Sequence, residues 1–263
     1  MTQALAYELA PWRQRWAALL DHIECIADQE SVQKRIADLK SPAAPHVLAF
    51  VNAHAMNLCV ASQSFTDALL SADTLLRDGK GMEILFRRME RDPGLNLNGT
   101  DLIPRVIATH APKRLALYGT RPEYLAMAQG KIRKELSPES EIELLDGFRS
   151  AEDYLAAARQ FKPELIVLGM GMPKQEQVAQ ALRQGLQHPC LIVCGGAIID
   201  FLGGKVTRAA AWMQRSGFEW LYRFILEPRR LFRRYILGNP LFLYRSFTMP
   251  PLAQKMARRC NEE

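Results

Sequence analysis

Leu165-Ile-Val-Leu168 is an unbroken apolar run that passes directly into Gly169-Met-Gly-Met-Pro-Lys-Gln-Glu176. Four consecutive apolar residues with no polar alternation suit a strand covered on both faces, and so a parallel sheet packed between helices. Gly169 and Gly171 let a ligand approach the backbone, and Pro173 suits the first turn of the next helix. Lys174, Gln175 and Glu176 then stand at that helix's N-terminus. Free backbone N–H groups and the positive dipole end collect there and favour an anionic or polar ligand. For this segment alone, the alternative is an ordinary strand-to-helix turn with solvated charges.

The same rhythm recurs along the chain. Strands are predicted over 46–51, 72–78, 113–118, 141–145, 165–168 and 190–194. Helical periodicity covers 12–39, 56–70, a stretch reaching Met89, 100–110, 122–136, 151–161 and a stretch reaching Gln184. Strands separated by helices of these lengths imply an α/β, Rossmann-like, mostly parallel sheet with right-handed crossovers and helices on both faces. Ligands in such sheets bind beyond the carboxyl ends of the strands. Asn52, Asp78, Gly119, Gly147, Gly171 and Gly195 all fall at such ends, so they converge on one rim.

A chain of 263 residues can bury a full core as one large α/β domain with a smaller appendage. The division predicted is 1–204 for the Rossmann-like domain with its N-terminal helices and 205–263 for the appendage. The first residues lack a basic region followed by an apolar stretch, so no signal peptide is read and a cytoplasmic location is expected. Cysteines 25, 59, 190, 194 and 260 form no paired framework, which fits a reducing compartment. Cys190 and Cys194 are read as core residues, ~13 Å apart on a strand at ~3.3 Å per residue and too distant for a disulfide.

Charge is distributed unevenly. Between Lys205 and Cys260 stand 12 Lys and Arg against 2 Asp and Glu, a surplus of ten, so the rest of the chain carries −4 of the net +6. A mildly acidic body joined to a basic segment indicates a local polyanionic partner: anionic lipid, diphosphate or nucleic acid. Within that segment, Arg229-Arg-Leu-Phe-Arg-Arg-Tyr-Ile236 is two-sided. At 100° per residue its four arginines fall on one side, with Leu231, Phe232, Tyr235 and Ile236 on the other. Such a helix either lies on an anionic membrane surface or packs its apolar side on the protein with solvated arginines. The further cluster Phe242, Leu243, Tyr244 and Phe247 favours the membrane.

Taken in order, several motifs resemble the WecG/TagA/CpsF glycosyltransferases over about residues 45 to 245. They are Asn52 after a strand, Asp78-Gly79-x-Gly81, Gly99-x-Asp101-Leu102, Leu168-Gly-Met-Gly-Met-Pro-Lys-Gln-Glu176, Gly195-Gly-Ala-Ile-Ile-Asp200 and Glu219-Trp-Leu-Tyr-Arg223, followed by Glu227-Pro228-x-Arg230. The resemblance implies transfer of a sugar from a UDP-sugar to a polyprenyl-diphosphate-linked sugar, with inversion, at the cytoplasmic membrane face during surface-glycan assembly. It also implies a basic C-terminal appendage that touches the membrane and completes the active site.

Inverting transfer needs a carboxylate to take the acceptor hydroxyl's proton and positive groups to stabilise the departing diphosphate. Asp78, in a glycine-flanked turn, matches the family's base; the alternative is a turn aspartate capping its own backbone. Position and resemblance assign Asn52 and Gln175 to the donor sugar, with Gly171 and Lys174 beside them. They assign Gly195, Gly196 and Asp200 to the nucleotide, with helix capping as the alternative for Asp200. Arg208, Arg223, Arg230 and Arg233 are the diphosphate candidates, because guanidinium groups bind phosphate oxygens in pairs of hydrogen bonds. No Asp-x-Asp pair occurs, so neither a metal nor another cofactor is expected.

Two positions depart from the family pattern. Phe50 stands where many members have threonine, and Asn96-Leu-Asn98 where an arginine often precedes Gly-x-Asp-Leu. Exchanging a cation for amides argues for a neutral donor, UDP-glucose or UDP-N-acetylmannosamine, over a uronic acid. It points to an exopolysaccharide glucosyltransferase of the xanthan-pathway kind; the family alternative is a UDP-N-acetylmannosaminuronic acid transferase. A proline common before the tryptophan is also absent from Arg208-Ala-Ala-Ala-Trp212. Outside the family, a nucleotide sensor shares the rim glycines without needing Asp78, and a nucleic-acid-binding protein explains the basic segment but has no recognised motif here. The oligomeric state stays open, a homo-oligomer included.

Overall fold

We describe a computed structural model of the chain that covers residues 10–210, 213 and 219–250. The opening nine residues, Trp212, Phe218 and Cys260 lie outside these. Six strands form one sheet: β1 (His46–Val51), β2 (Thr74–Arg77), β3 (Arg114–Gly119), β4 (Glu141–Leu145), β5 (Leu165–Gly169) and β6 (Leu191–Cys194). Their order is β2-β1-β6-β5-β3-β4, and every pair is parallel. The apolar runs read from the sequence sit where the prediction put them. β5, at the sheet's centre, is buried along its whole length.

Alternate residues of each strand feed two separate cores, one on either face. Ala49, Val51, Tyr118, Ile166, Leu168 and Ile192 pack with Trp16, Phe65 and Leu182 on one side. Leu48, Phe50, Leu117, Val167 and Val193 pack with Ile36, Ile103 and Ile132 on the other. Helices therefore cover both faces, as the unalternating strands require.

Local chemistry sets the helix boundaries. Asp28 caps α2 (Gln29–Asp38), and Ser150 with Asp153 forms a reciprocal capping box at the start of α8 (Ala151–Phe161). The single helix read over 56–70 is two, α3 (Ala53–Ala61) and α4 (Gln63–Leu70). Ser62 ends the first in an extended conformation and caps the second by accepting from the Phe65 N–H. Pro173 stands one position earlier than predicted, at the N-cap of α9 (Lys174–Gly185), and contributes no side-chain cap.

The basic segment is helical and docked. Glu219–Leu226 and Pro228–Phe232 lead through a π-helical turn, Arg233–Leu237, into Gly238–Thr248. The last of these packs on α3 and on α5 (Lys80–Arg88). Phe242 enters the main core against Trp16, with ring centroids 5.5 Å apart. Asn57 ties the same helix to the body, donating to Gly238 O at 2.7 Å and accepting from Arg245 at 2.7 Å. Among the described residues, no helix is long and apolar enough to cross a membrane.

The division expected between an arginine side and an apolar side is corrected. Leu231 and Tyr235 face inward as expected, but Phe232 and Ile236 are exposed. The docking direction falls on the border between the two stripes. One edge therefore turns in, Arg234 with Leu231 and Tyr235, the other edge of each stripe turns out, and Arg230, itself exposed, borders both the cleft and the outer groove.

Candidate active site

A cleft of ≈ 790 Å³, open mouth included, lies beyond the carboxyl ends of β1, β2, β5 and β6. Such a crevice is where an open parallel sheet presents its ligands. Asn52, Asp78, Gly171, Gln175, Gly195, Gly196, Asp200, Arg223 and Arg230 all line it, as does Phe50. Motifs spread over almost two hundred residues of sequence are therefore brought to one site.

Asp78 follows β2, and its N–H donates to Val51 O at 2.7 Å. Gly79 has φ +88, a conformation that strains any side-chain-bearing residue, and its N–H donates to Asn96 Oδ1 at 2.7 Å. Asn96 thus fastens the turn that carries Asp78. Confinement in the cleft raises the Asp78 pKa; Asn52, whose Nδ2 lies 3.5 Å from Oδ2, and then Arg234, Arg223 and Arg77 pull it down. The net lift makes it a stronger base than an ordinary aspartate.

Asn52 also caps α3, its Oδ1 accepting from the N–H groups of His54 and Ala55 at 3.1 Å each. Its amide nitrogen is left for Asp78 and the cleft. Gln175 and Glu176, the second and third residues of α9, are both 1 % exposed. Gln175 donates to Glu176 Oε1 at 2.8 Å and accepts from the Gly196 N–H at 2.9 Å. Asp200 accepts from the Thr120 hydroxyl and, at 3.1 Å, from Lys205.

Three predicted contacts are placed elsewhere. Lys174 donates to the carbonyls of Gly147 at 2.9 Å and Arg149 at 2.8 Å, so it secures the loop after β4 instead of lining the cleft. Arg208 pairs with Asp101. Arg233 lies on an outer groove with Pro228, Arg229, Arg230 and Phe232. Its sequence neighbour Arg234 takes the inward place, lining the cleft with its Nε buried and unpartnered. Burial lowers the Arg234 pKa, while Asp78 acts to sustain its charge. Sequence reasoning passed over Arg234 because the helical projection gave all four arginines one side. Its spacing from inward-facing Leu231 and Tyr235 was the available signal.

Arg223 also keeps an unpartnered buried Nε, whereas Arg230 is held by both oxygens of Glu227. Arg223 and Arg234 therefore line one crevice with the Asp78 carboxylate, and Arg230, paired with Glu227, stands at its edge. Among the described residues no group of three His, Cys, Asp or Glu side chains is placed to hold a metal ion.

Such a site, at the rim of a Rossmann-like sheet, is that of a group-transfer enzyme. The chain matches the family described as Glycosyl transferase WecG/TagA/CpsF across residues 20–259, and it belongs to that family of glycosyltransferases. It is 28 % identical over 189 residues to the N-acetylglucosaminyldiphosphoundecaprenol N-acetyl-beta-D-mannosaminyltransferase of Bacillus subtilis (strain 168), an alignment covering 70 % of this chain and 73 % of that protein. It is 25 % identical over 198 residues to the protein of the same description from Staphylococcus aureus (strain NCTC 8325 / PS 47), with 74 % and 76 % covered.

Proposed function

We propose that this glycosyltransferase moves a hexosyl group from a neutral UDP-sugar, UDP-glucose or UDP-N-acetylmannosamine, to a polyprenyl-diphosphate-linked saccharide, with inversion and without a metal. The observation that carries the reading is Asp78 sharing one cleft with Arg223 and Arg234, both of which act on its charge, and with Arg230 at the edge. The acceptor oxygen attacks the anomeric carbon as the bond from that carbon to the UDP phosphate oxygen breaks. The hydroxyl proton passes to Asp78, and the arginines take up the charge developing on UDP. Attack from the face opposite the leaving group inverts the anomeric centre. Gln175 and Asn52 contact the donor sugar; Gly195, Gly196 and Asp200 hold the nucleotide.

The curated relatives, named for N-acetylmannosaminyl transfer to a polyprenyl-linked sugar, support the acceptor class and one of the two donors. Commitment of Asn96 to the Gly79 turn leaves no cation there for an acidic sugar. The test is UDP release from a panel of UDP-sugars offered with a short-chain polyprenyl-diphosphate-linked saccharide. Release is expected with a neutral donor and unchanged by a chelator. A folded protein that leaves every donor intact would refute the transferase, and restoration by magnesium after chelation would refute metal independence.

Placement at the inner face of the membrane, held peripherally, is part of the same proposal. Arg229, Arg233, Phe232, Ile236 and Leu237 share the outward side of the basic segment, followed by Leu241, Tyr244 and Phe247. Cationic groups beside apolar ones suit an anionic bilayer surface, with about 1 kcal/mol for each basic residue near it. The double variant F232S/I236S is expected to lose flotation with anionic vesicles while its melting temperature holds. Equal flotation of variant and parent would show that this side is not the contact.

A further inference from the structure

We propose that Glu176 is a positioning residue for the transfer, setting the Gln175 carboxamide in the donor cleft through the hydrogen-bonded chain Glu176–Gln175–Gly196. Neighbouring residues of a helix do not normally face each other. Here Gln175 Nε2 nevertheless reaches Glu176 Oε1 at 2.8 Å, while Gln175 Oε1 accepts from the Gly196 N–H at 2.9 Å. A backbone N–H only donates, so the amide oxygen must face Gly196 and the amide nitrogen must face the carboxyl oxygen. The carboxamide is thereby fixed in rotation, with one N–H left for a ligand in the cleft that Gln175 lines. Gly196 sits at φ +60 in the turn after β6, so the same chain ties α9 to the glycine turn assigned to the nucleotide.

Glu176 is costly where it stands. It is 1 % exposed, and its second carboxyl oxygen, Oε2, has no partner. The titratable groups facing it are Cys194 on β6 and Cys59 on α3, neither of them a cation. Burial raises its carboxyl to about 7. A leucine would fill the same apolar surroundings without an orphaned oxygen. What a leucine lacks is an acceptor for Gln175.

The inference deepens the transferase reading and rests on it, but the chain of hydrogen bonds can be tested without any substrate. Amide hydrogen exchange of the ligand-free protein is expected to show Gly196 exchanging about tenfold faster in both Glu176→Leu and Gln175→Ala than in the parent. In the turnover assay, Glu176→Leu is expected to raise the donor KM about tenfold with the acceptor KM unchanged. Glu176→Gln, whose amide oxygen still accepts from Gln175, recovers most of that loss. In the double variant, Glu176→Leu adds nothing to the loss caused by Gln175→Ala, because it acts only through that side chain. Additive losses, or a Gly196 amide unaffected by either single variant, would overturn the assignment. Failure of the parent protein to turn over any donor would instead count against the transferase reading, with the exchange result still deciding the positioning chain.

Discussion

Asp78→Asn is expected to lower turnover about 10²- to 10⁴-fold, the contribution of a positioned general base, with UDP binding unchanged. The amide keeps the size of the carboxylate and can still meet Asn52, so the cleft retains its shape. It cannot take the acceptor's proton. In the parent protein the rate should rise with pH as Asp78 ionises, at a pH above the ordinary aspartate range. Confinement has lifted its pKa, and Asn52, Arg234, Arg223 and Arg77 only partly offset the lift. This acid limb should vanish from the residual activity of the variant. An asparagine variant within a few-fold of the parent would place the base elsewhere.

Glu176→Gln should change how stability depends on pH by about 3 kcal/mol, from 1.36 kcal/mol per unit of pKa. The carboxyl is raised from an ordinary 4.5 to about 7 by burial, so the fold favours its protonated form. Below pH 4.5 the group is protonated whether the chain is folded or not, and its full stabilising share is present. Between 4.5 and 7 the unfolded chain releases the proton first, and that share is lost as pH rises. Glutamine does not titrate, so the difference in unfolding free energy between variant and parent should swing toward the variant across this window. Buried histidines such as His54, lowered to about 4, move stability in the opposite sense but are common to both proteins and cancel in the difference. Denaturant titrations at pH 4.5 and 8 measure the swing. Parallel curves would mean that Glu176 is not held in an apolar setting.

Strand positions and the rim of the sheet were legible because both are written locally: an apolar run, then a glycine, asparagine or aspartate where the chain must turn. That is why Asn52, Asp78, Gly171 and Gly195 read as rim residues from the local pattern, with Gln175, Gly196 and Asp200 added by the family resemblance; all seven line the cleft, whereas Gly119 and Gly147 of the same rim do not. The arginines were less legible because their direction is set by tertiary docking. Periodicity finds two stripes on the basic segment but not which border meets the body, so it cannot separate Arg233, on the outer groove, from Arg234, which turns in. Lys174 and Arg208 lie outside the cleft lining for a related reason. A cation at a helix start or after a strand is equally free to serve a loop carbonyl or an aspartate, and these two do. The break at Ser62 escaped because the apolar period continues across it, while a single serine both ends one helix and caps the next.

Phe242 lies against Gly81 so closely that a methyl group there would come within 3.2 Å of the ring and 3.1 Å of Ala53. Gly81 is two positions beyond Gly79, whose turn holds Asp78. The outer helix therefore packs directly on the start of α5, just beyond the turn that carries Asp78, with no layer between them. If the helix lies on a membrane as proposed, that surface sets the height of the carboxylate above it. An acceptor tethered in that support would meet the enzyme at a fixed elevation, as under a gauge, and only a stem of matching reach would bring its hydroxyl to Asp78.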